Sequence, residues 1–512
     1  MNTTNKQSRT YNSFKNVYYG LLITIINTIL SFISRTVFLK FLGNSILSIN
    51  SLFSEVIAMM SLAELGIGMS IVYHLYKPLV ENDLRRISQL MTLYKKMYNI
   101  IAILMIIIGI ILFPFIHLIV NDLNFSTQYI QMIFIFFVIR TSISYIYSYK
   151  SSLLNADQKQ YIVSLINTIM QVIFTICMVL LLYLTGNYIL YLVLNTITVF
   201  SGNFIVSKYV DRIYPDIKYN LAMDKIDKKE IFLSVKNIFI KRVSGQITTS
   251  TDNILISTLV STLQVGFYSN YNMVFSVVRT VKSQLTKAFT ASIGNLLVTE
   301  SSNKCISILK RLTYIYMIFG LVMTSGLIVL IDDFIKLWIG SKYIMESSII
   351  FIAICNLYIE ILCEPIWQFL EVSGLFSKDK NIAIIGSSAN LIVSVIFGKL
   401  LGISGIFLGT IFSQLIQLIL KTIILFQYKF DENARVYLIL IFKYFIMFIL
   451  NSFLAFKIMI YVDFNNIVLS FLIKGTLAGL IPLLLVYLFF RKTEEFVYMK
   501  KIIIQFIKKI KK

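Results

Sequence analysis

Apolar residues along this chain fall in long unbroken blocks, not in two-residue alternation or a one-sided helical stripe. The stretch "IIAILMIIIGIILFPFI" (100–116) is typical. A helix of about 20 such residues spans the hydrocarbon core of a bilayer. The blocks predict fourteen spans, near 17–41, 46–75, 98–120, 128–149, 160–184, 188–207, 232–259, 264–290, 312–331, 347–371, 381–400, 404–427, 436–461 and 466–490. The seventh and eighth are the most polar. A transmembrane barrel is excluded, because its strands would show short alternating segments of about ten residues. The expected fold class is therefore an all-α polytopic membrane protein.

Composition agrees. With 57% of residues hydrophobic and 14% charged, a soluble chain of this length could not cover its surface with polar groups. The first apolar run is too long for a signal-peptide core and no small-residue cleavage site follows it, so it reads as a retained span. Cys177, Cys305, Cys355 and Cys363 lack metal-ligand spacing and read as small buried hydrophobes.

The basic residues behind the net charge of +22 cluster in alternate loops, with few in the later outer loops, chiefly Lys336, Lys342 and Lys399, which argues against nucleic acid. Lys77, Arg85, Arg86, Lys95 and Lys96 fall in one loop, Lys150 and Lys159 in another, and Lys208, Arg212, Lys218, Lys225, Lys228 and Lys229 in a third. The intervening "NDLNFS" (121–126) and "TGN" (185–187) carry none. This positive-inside pattern predicts both termini in the cytoplasm. In the tail "RKTEEFVYMKKIIIQFIKKIKK", Phe496, Met499, Ile503, Phe506 and Ile510 recur at helical spacing among lysines. Such a helix is expected to lie on an anionic inner leaflet.

Two pairs of segments suggest an internal repeat. "RTVFLKFLGNSILSINSLF" (35–53) shares an apolar-then-turn pattern with "DNILISTLVSTLQVGFYSN" (252–270). "ADQKQYIVSLINTIMQVI" (156–173) and "SKDKNIAIIGSSANLIVSVI" (377–396) both run from an acid-basic hinge into a span that carries an asparagine. The offsets are similar, so six spans repeat and two follow. The expected organisation is an N-lobe over 1–230, a C-lobe over 231–430, two further spans over 431–490 and a basic amphipathic tail over 491–512. Parallel repeats of this kind belong to transporters with a site between the halves.

Charges at membrane depth are costly and mark functional sites by default. The basic ones are Arg35, Arg140, Lys236, Lys241, Arg242, Arg279, Lys282 and Lys287; the acidic ones are Glu55, Glu64, Asp252, Glu360, Glu364 and Glu371. Arg35 is open to two readings, snorkelling to the interface or facing a cavity. Lys40 reads as an interface anchor, whereas Arg279, Lys282 and Lys287, near the cytoplasmic end of the eighth span, are open to two readings, positive-inside anchors or functional charges within the membrane. Lys241, Arg242 and Asp252 share a polar seventh span that must face water or protein. Glu360, Glu364 and Glu371 share one face of the tenth span beside Pro365, either as proton or cation sites or as partners of basic residues opposite. The excess is cationic, and arginine binds phosphate oxygens in a bidentate manner. The candidate anion-binding set is thus Arg35, Arg140, Lys241 and Arg242; the candidate coupling or ion-pair set is Asp252, Glu55, Glu360 and Glu364. The chain has no "GxxxxGK[ST]" loop, and "GIGMS" (66–70) lacks a third glycine, so no nucleotide chemistry, cofactor or metal is expected.

These residues place the chain beside a known family. "RTVFLKFLG" (35–43), "SLAELGIGMSIVYHLYKPLVEND" (61–83), "STDNILIS" (250–257), "GLFSKDKNIAII" (374–385) and "GISGIFLGT" (402–410) resemble Wzx-type flippases, the bacterial polysaccharide repeat-unit translocases of the MOP superfamily, which also holds MATE exporters and lipid II flippases. The resemblance departs at Ser48 and Ser51, where the family pattern often has glycines. It implies two pseudo-symmetric six-helix lobes about a cationic cavity, two further helices, and a monomeric multi-pass protein of a Gram-positive plasma membrane. It implies alternating access, with undecaprenyl-pyrophosphate-linked oligosaccharide as the substrate for capsular or exopolysaccharide assembly. Membrane lipids, a polysaccharide polymerase and assembly proteins are the implied partners. The alternatives are a MATE-like ion-coupled exporter, a lipid II flippase, and a membrane polymerase or ligase.

Overall fold

The structure, a computed structural model, describes residues 4–64, 67–222, 250–462 and 467–510, with positions 231, 232, 235 and 239 between them. Among the described residues there are helices and no strand, and eleven helices are long and apolar enough to cross a membrane. Hydrocarbon cannot hydrogen-bond an exposed peptide group, so each apolar block closes its own backbone bonds as a helix. The first two blocks run on as one helix, which lowers the tally. The seventh lies largely outside the described residues, and the eighth is helical but too polar to count.

The chain divides into two compact units, Met1–Gly266 and Phe267–Lys512. In the first, α1 (Thr4–Met60) breaks at Gly43, whose φ of 75° and ψ of −179° suit glycine alone. A 3₁₀ turn (Ser61–Glu64) leads to α2 (Ile67–Glu81). Helix α3 (Leu84–Leu112) begins at Asp83, whose carboxylate accepts from the Arg86 amide at 2.9 Å. Next come α4 (Thr127–Ser148), short α5 (Ser151–Ala156), α6 (Gln160–Thr185) and α7 (Tyr188–Ile213). Left-handed Gly186 ends α6, and the Asn187 side chain caps α7.

Helical residues 250–259 (α8) and the start of α9 (Thr262–Thr299) are tied to this unit by polar bonds. Asn44 Nδ2 and Ser48 Oγ donate to the Leu263 carbonyl at 3.0 and 3.2 Å. Asn121 Nδ2 donates to the Ser257 and Thr258 carbonyls at 3.1 and 3.2 Å. Ser48, where a glycine fits the family pattern, is thus a fastening. Beyond the spans, Tyr214 and Tyr219 donate to Asp157 and Asp211. Burial first, and then those carboxylates, holds both phenols above the usual tyrosine range.

The second unit holds α10 (Ser302–Trp338), α11 (Ser347–Val372), α12 (Phe376–Leu401), α13 (Ile403–Leu425), α14 (Arg435–Tyr461), α15 (Ile467–Phe490) and α16 (Glu494–Ile510). Its core centres on fully buried Tyr358, which stacks on Phe448 at 4.1 Å and donates to the Tyr444 carbonyl at 2.9 Å. Helices α12 and α13 meet so closely that a Cβ on Gly409 would run into the Ser394 backbone. Small residues at membrane-helix interfaces allow such an approach. Gly409→Val is therefore expected to cost about 1–3 kcal/mol through overpacking. A lowered unfolding midpoint of the purified protein checks this; an unchanged midpoint refutes the packing.

Candidate functional site

Two arginines of the first unit converge on one tyrosine. Arg35 sits on α1 and Arg140 on α4, and both lie within electrostatic range of Tyr191 on α7. Arg140 also acts on Tyr188, and its guanidinium lies 4.8 Å from the Phe137 ring centroid. The tyrosines are fixed from behind. Tyr188 and Tyr191 stack at 5.7 Å, Phe38 meets Tyr191 edge-on at 5.2 Å, and Phe174 does so at 5.7 Å. The Tyr188 hydroxyl donates to Asn50 Oδ1 at 3.1 Å, and Asn195 bonds the Tyr191 hydroxyl. A guanidinium is weakly hydrated and stacks on aromatic faces, so rings stabilise it where water is scarce. Among the described residues, the ion pairs formed do not include Arg140. Lys40 is exposed with its ammonium 5.8 Å from the Phe41 ring, an arrangement that suits an interface anchor.

Two carboxylates of this unit are held by neutral donors. Glu55 on α1 accepts from Ser250 Oγ at 2.8 Å and Asn253 Nδ2 at 3.4 Å, which joins it to α8. Asp252, half-buried on α8, makes polar interactions of its own. Glu64 accepts from the Tyr98 hydroxyl at 2.9 Å, and Tyr145 bonds it too. Tyr98 in turn receives Tyr94, which pairs with Ser152 at 2.9 Å. The tyrosine cage was not foreseen from the sequence. The four-residue spacing of Tyr94 and Tyr98 was its one available signal. Lys241 and Arg242 lie outside the described residues, as does Lys236.

The second unit treats its charges differently. Arg279 Nε donates to Glu360 at 2.9 Å, and Lys282 Nζ reaches Glu360 at 2.7 Å and Glu364 at 3.0 Å. Thr286 Oγ1 donates to Glu364 at 3.1 Å, and Gln368 Nε2 donates to the Thr286 carbonyl at 2.7 Å. Residues 279, 282 and 286 of α9 thus zip onto 360, 364 and 368 of α11, each series running at three- or four-residue steps. Of the two readings left open for Glu360 and Glu364, this structure shows the ion-paired one. Lys282 is therefore a strut rather than an interface anchor. Two buried pairs, Lys421 with Asp379 at 3.0 Å and Lys474 with Asp333 at 2.9 Å, brace other helices.

Removing one member of the zipper strands its partner. Lys282→Met alone is expected to destabilise more than Lys282→Met combined with Glu364→Gln, with a coupling of about 0.5–3 kcal/mol. Unfolding midpoints of the two single variants and the double variant check this; additive effects contradict it.

The sequence profile of a family described as polysaccharide biosynthesis protein matches residues 13–293, more than half of the chain. A search of curated proteins found no match. Among solved structures, a lipid II flippase, MurJ, in an inward closed conformation aligns with a TM-score of 0.67 at 17% identity, over 93% of this chain and 99% of that one. An inward-facing multidrug resistance MATE family transporter of the MOP superfamily aligns with a TM-score of 0.60 at 12% identity, over 77% and 92%. A mutant of the Vibrio cholerae MATE transporter VcmN aligns at 0.52 and 12% identity, over 82% and 99%. At these identities the likeness is one of fold. The chain is a multi-pass membrane protein that belongs to the polysaccharide biosynthesis protein family and has the fold of MOP-superfamily transporters.

Proposed function

We propose that this protein is a flippase that carries undecaprenyl-pyrophosphate-linked oligosaccharide repeat units from the inner to the outer leaflet for capsular or exopolysaccharide assembly. The observation that carries the reading is the pair Arg35 and Arg140, two guanidiniums within apolar spans and both within electrostatic range of Tyr191. A pyrophosphate offers such groups bidentate acceptors, and the low dielectric strengthens the attraction. Lys241 and Arg242 supply further cations to the same anion. Asp252, which follows them in the sequence, and Glu55, bonded to Ser250 and Asn253, serve as coupling groups. The family description and a neighbour named as a flippase of lipid II both support a lipid-linked cargo.

The protein works by alternating access, driven by an ion gradient, the membrane potential or substrate supply, and does no bond chemistry. It acts as a monomer in a Gram-positive plasma membrane, both termini cytoplasmic, beside a polymerase and assembly proteins. The second reading, an exporter of cationic small molecules, needs available carboxylates. Arg279 and Lys282 occupy Glu360 and Glu364, which counts against it.

Deleting the gene is expected to leave undecaprenyl-linked repeat units on the cytoplasmic face. Loss of a charge-assisted bond of about 1.5–3 kcal/mol makes Arg35→Ala or Arg140→Ala cut surface polysaccharide about tenfold or more, while the protein still inserts. Normal surface polysaccharide in the deletion strain, with no redundant transporter, overturns the function. Normal export in both variants removes the arginines from it.

A further inference from the structure

Helix α16 begins at Glu494, with three residues between it and the end of α15 at Phe490. A helix joined so closely to a membrane span starts at the end of that span, at the depth of the lipid headgroups. Its apolar stripe begins with Phe496 and Met499. Both pack against the core of the second unit. The Phe496 ring lies 6.0 Å from Tyr487, and the Arg311 guanidinium of α10 lies 4.0 Å from the Tyr498 ring. At these positions the protein itself covers the stripe that the sequence pattern alone assigns to lipid.

A different side of α16 is left open. Val497 and Ile504 are exposed at 44% and 43%, and Lys500 and Lys501 are exposed beside them. At 3.6 residues per turn these four fall within a sector about 100° wide. Lys508 follows Lys501 by seven residues and repeats its register. Arg491 and Lys492, in the turn before the helix, are exposed as well. Two aliphatic side chains set among ammonium groups match the boundary between acyl chains and anionic headgroups. A docking protein would not require the aliphatic groups to sit at headgroup depth.

We propose that this flank, Val497, Lys500, Lys501 and Ile504, is a docking surface for anionic lipid headgroups. Val497 and Ile504 enter the acyl boundary, and the lysines pair with lipid phosphates. Through Phe496, Met499 and the stack of Arg311 on Tyr498, lipid engagement then braces the ends of α10 and α15. The lipid composition of the leaflet thereby acts on the second unit. The proposal does not depend on which cargo the protein carries.

Hydrogen exchange of the α16 amides in the full-length protein tests it, in nanodiscs of phosphatidylcholine with and without phosphatidylglycerol. Phosphatidylglycerol is expected to slow exchange across residues 497–510 by about fivefold for each engaged lysine. About 0.5 M KCl is expected to reverse the effect by screening. A Lys500→Gln/Lys501→Gln/Lys508→Gln variant is expected to lose the lipid response while α11 amides keep their protection, which reports that the unit stays folded. Equal exchange in the two lipids overturns the proposal, as does a lipid response that survives in the triple variant. Slowing that follows protein concentration in detergent would instead assign the flank to a second copy of the chain, and slowing only with an added acidic protein would assign it to that partner.

Discussion

Hydrocarbon solvates neither a peptide group nor a charge, and the structure follows from that. The first half of the constraint turns every long apolar block into a helix. The second half forces each charged side chain within a span to find a partner in the protein. The two units meet this demand in different ways. On α9 and α11, Arg279 and Lys282 are answered by Glu360 and Glu364, and the cluster is electrically close to neutral. On α1 and α4, Arg35 and Arg140 lie within electrostatic range of Tyr191 on α7, and Arg140 sits by the Phe137 ring. Rings stabilise a guanidinium without cancelling its charge, and under the proposed function it is this charge that an anionic headgroup would meet. In the second unit, Arg279 and Lys282 are matched by carboxylates of the same unit.

Backbone geometry sets up the first arrangement. Gly43 lets α1 turn sharply where a side chain would oppose the left-handed conformation. Asn44 and Ser48, just past that break, grip the Leu263 carbonyl, and Asn121 grips the carbonyls of Ser257 and Thr258. These bonds seat α8 against α1, where Ser250 and Asn253 reach Glu55. One helix break thus links the local conformation of a glycine to the setting of a buried carboxylate. Asn50, within the same stretch of α1, bonds Tyr188 and so steadies the aromatic floor under Arg140.

The spans were legible because block length is a direct reading of bilayer thickness. The break at Gly43 was legible as the gap between two blocks. The shared face of Glu360 and Glu364 was legible from four-residue spacing, but spacing tells which residues share a face, not what lies opposite. That is why the sequence leaves Lys282 between an anchor and a functional charge, while its place as the strut between them shows only in the structure. For the same reason Asp379, read as part of a hinge, turned out to be buried against Lys421. The meeting of Arg35 and Arg140 on Tyr191 joins residues more than a hundred positions apart, and no local pattern carries such a contact. The apolar stripe of α16 was visible in the sequence, yet its covering was not, because Tyr487 and Arg311 belong to other helices.

The central claim of the proposed function is that Arg35 and Arg140 of the first unit serve a lipid-linked pyrophosphate, whereas Arg279 of the second unit serves Glu360. Native mass spectrometry of the purified protein with undecaprenyl pyrophosphate tests it most directly. The expected result is that Arg35→Gln combined with Arg140→Gln removes the bound lipid, whereas Arg279→Gln leaves binding within about twofold of the unaltered protein. Retained binding in the first variant, or loss of binding in the second alone, would contradict the account.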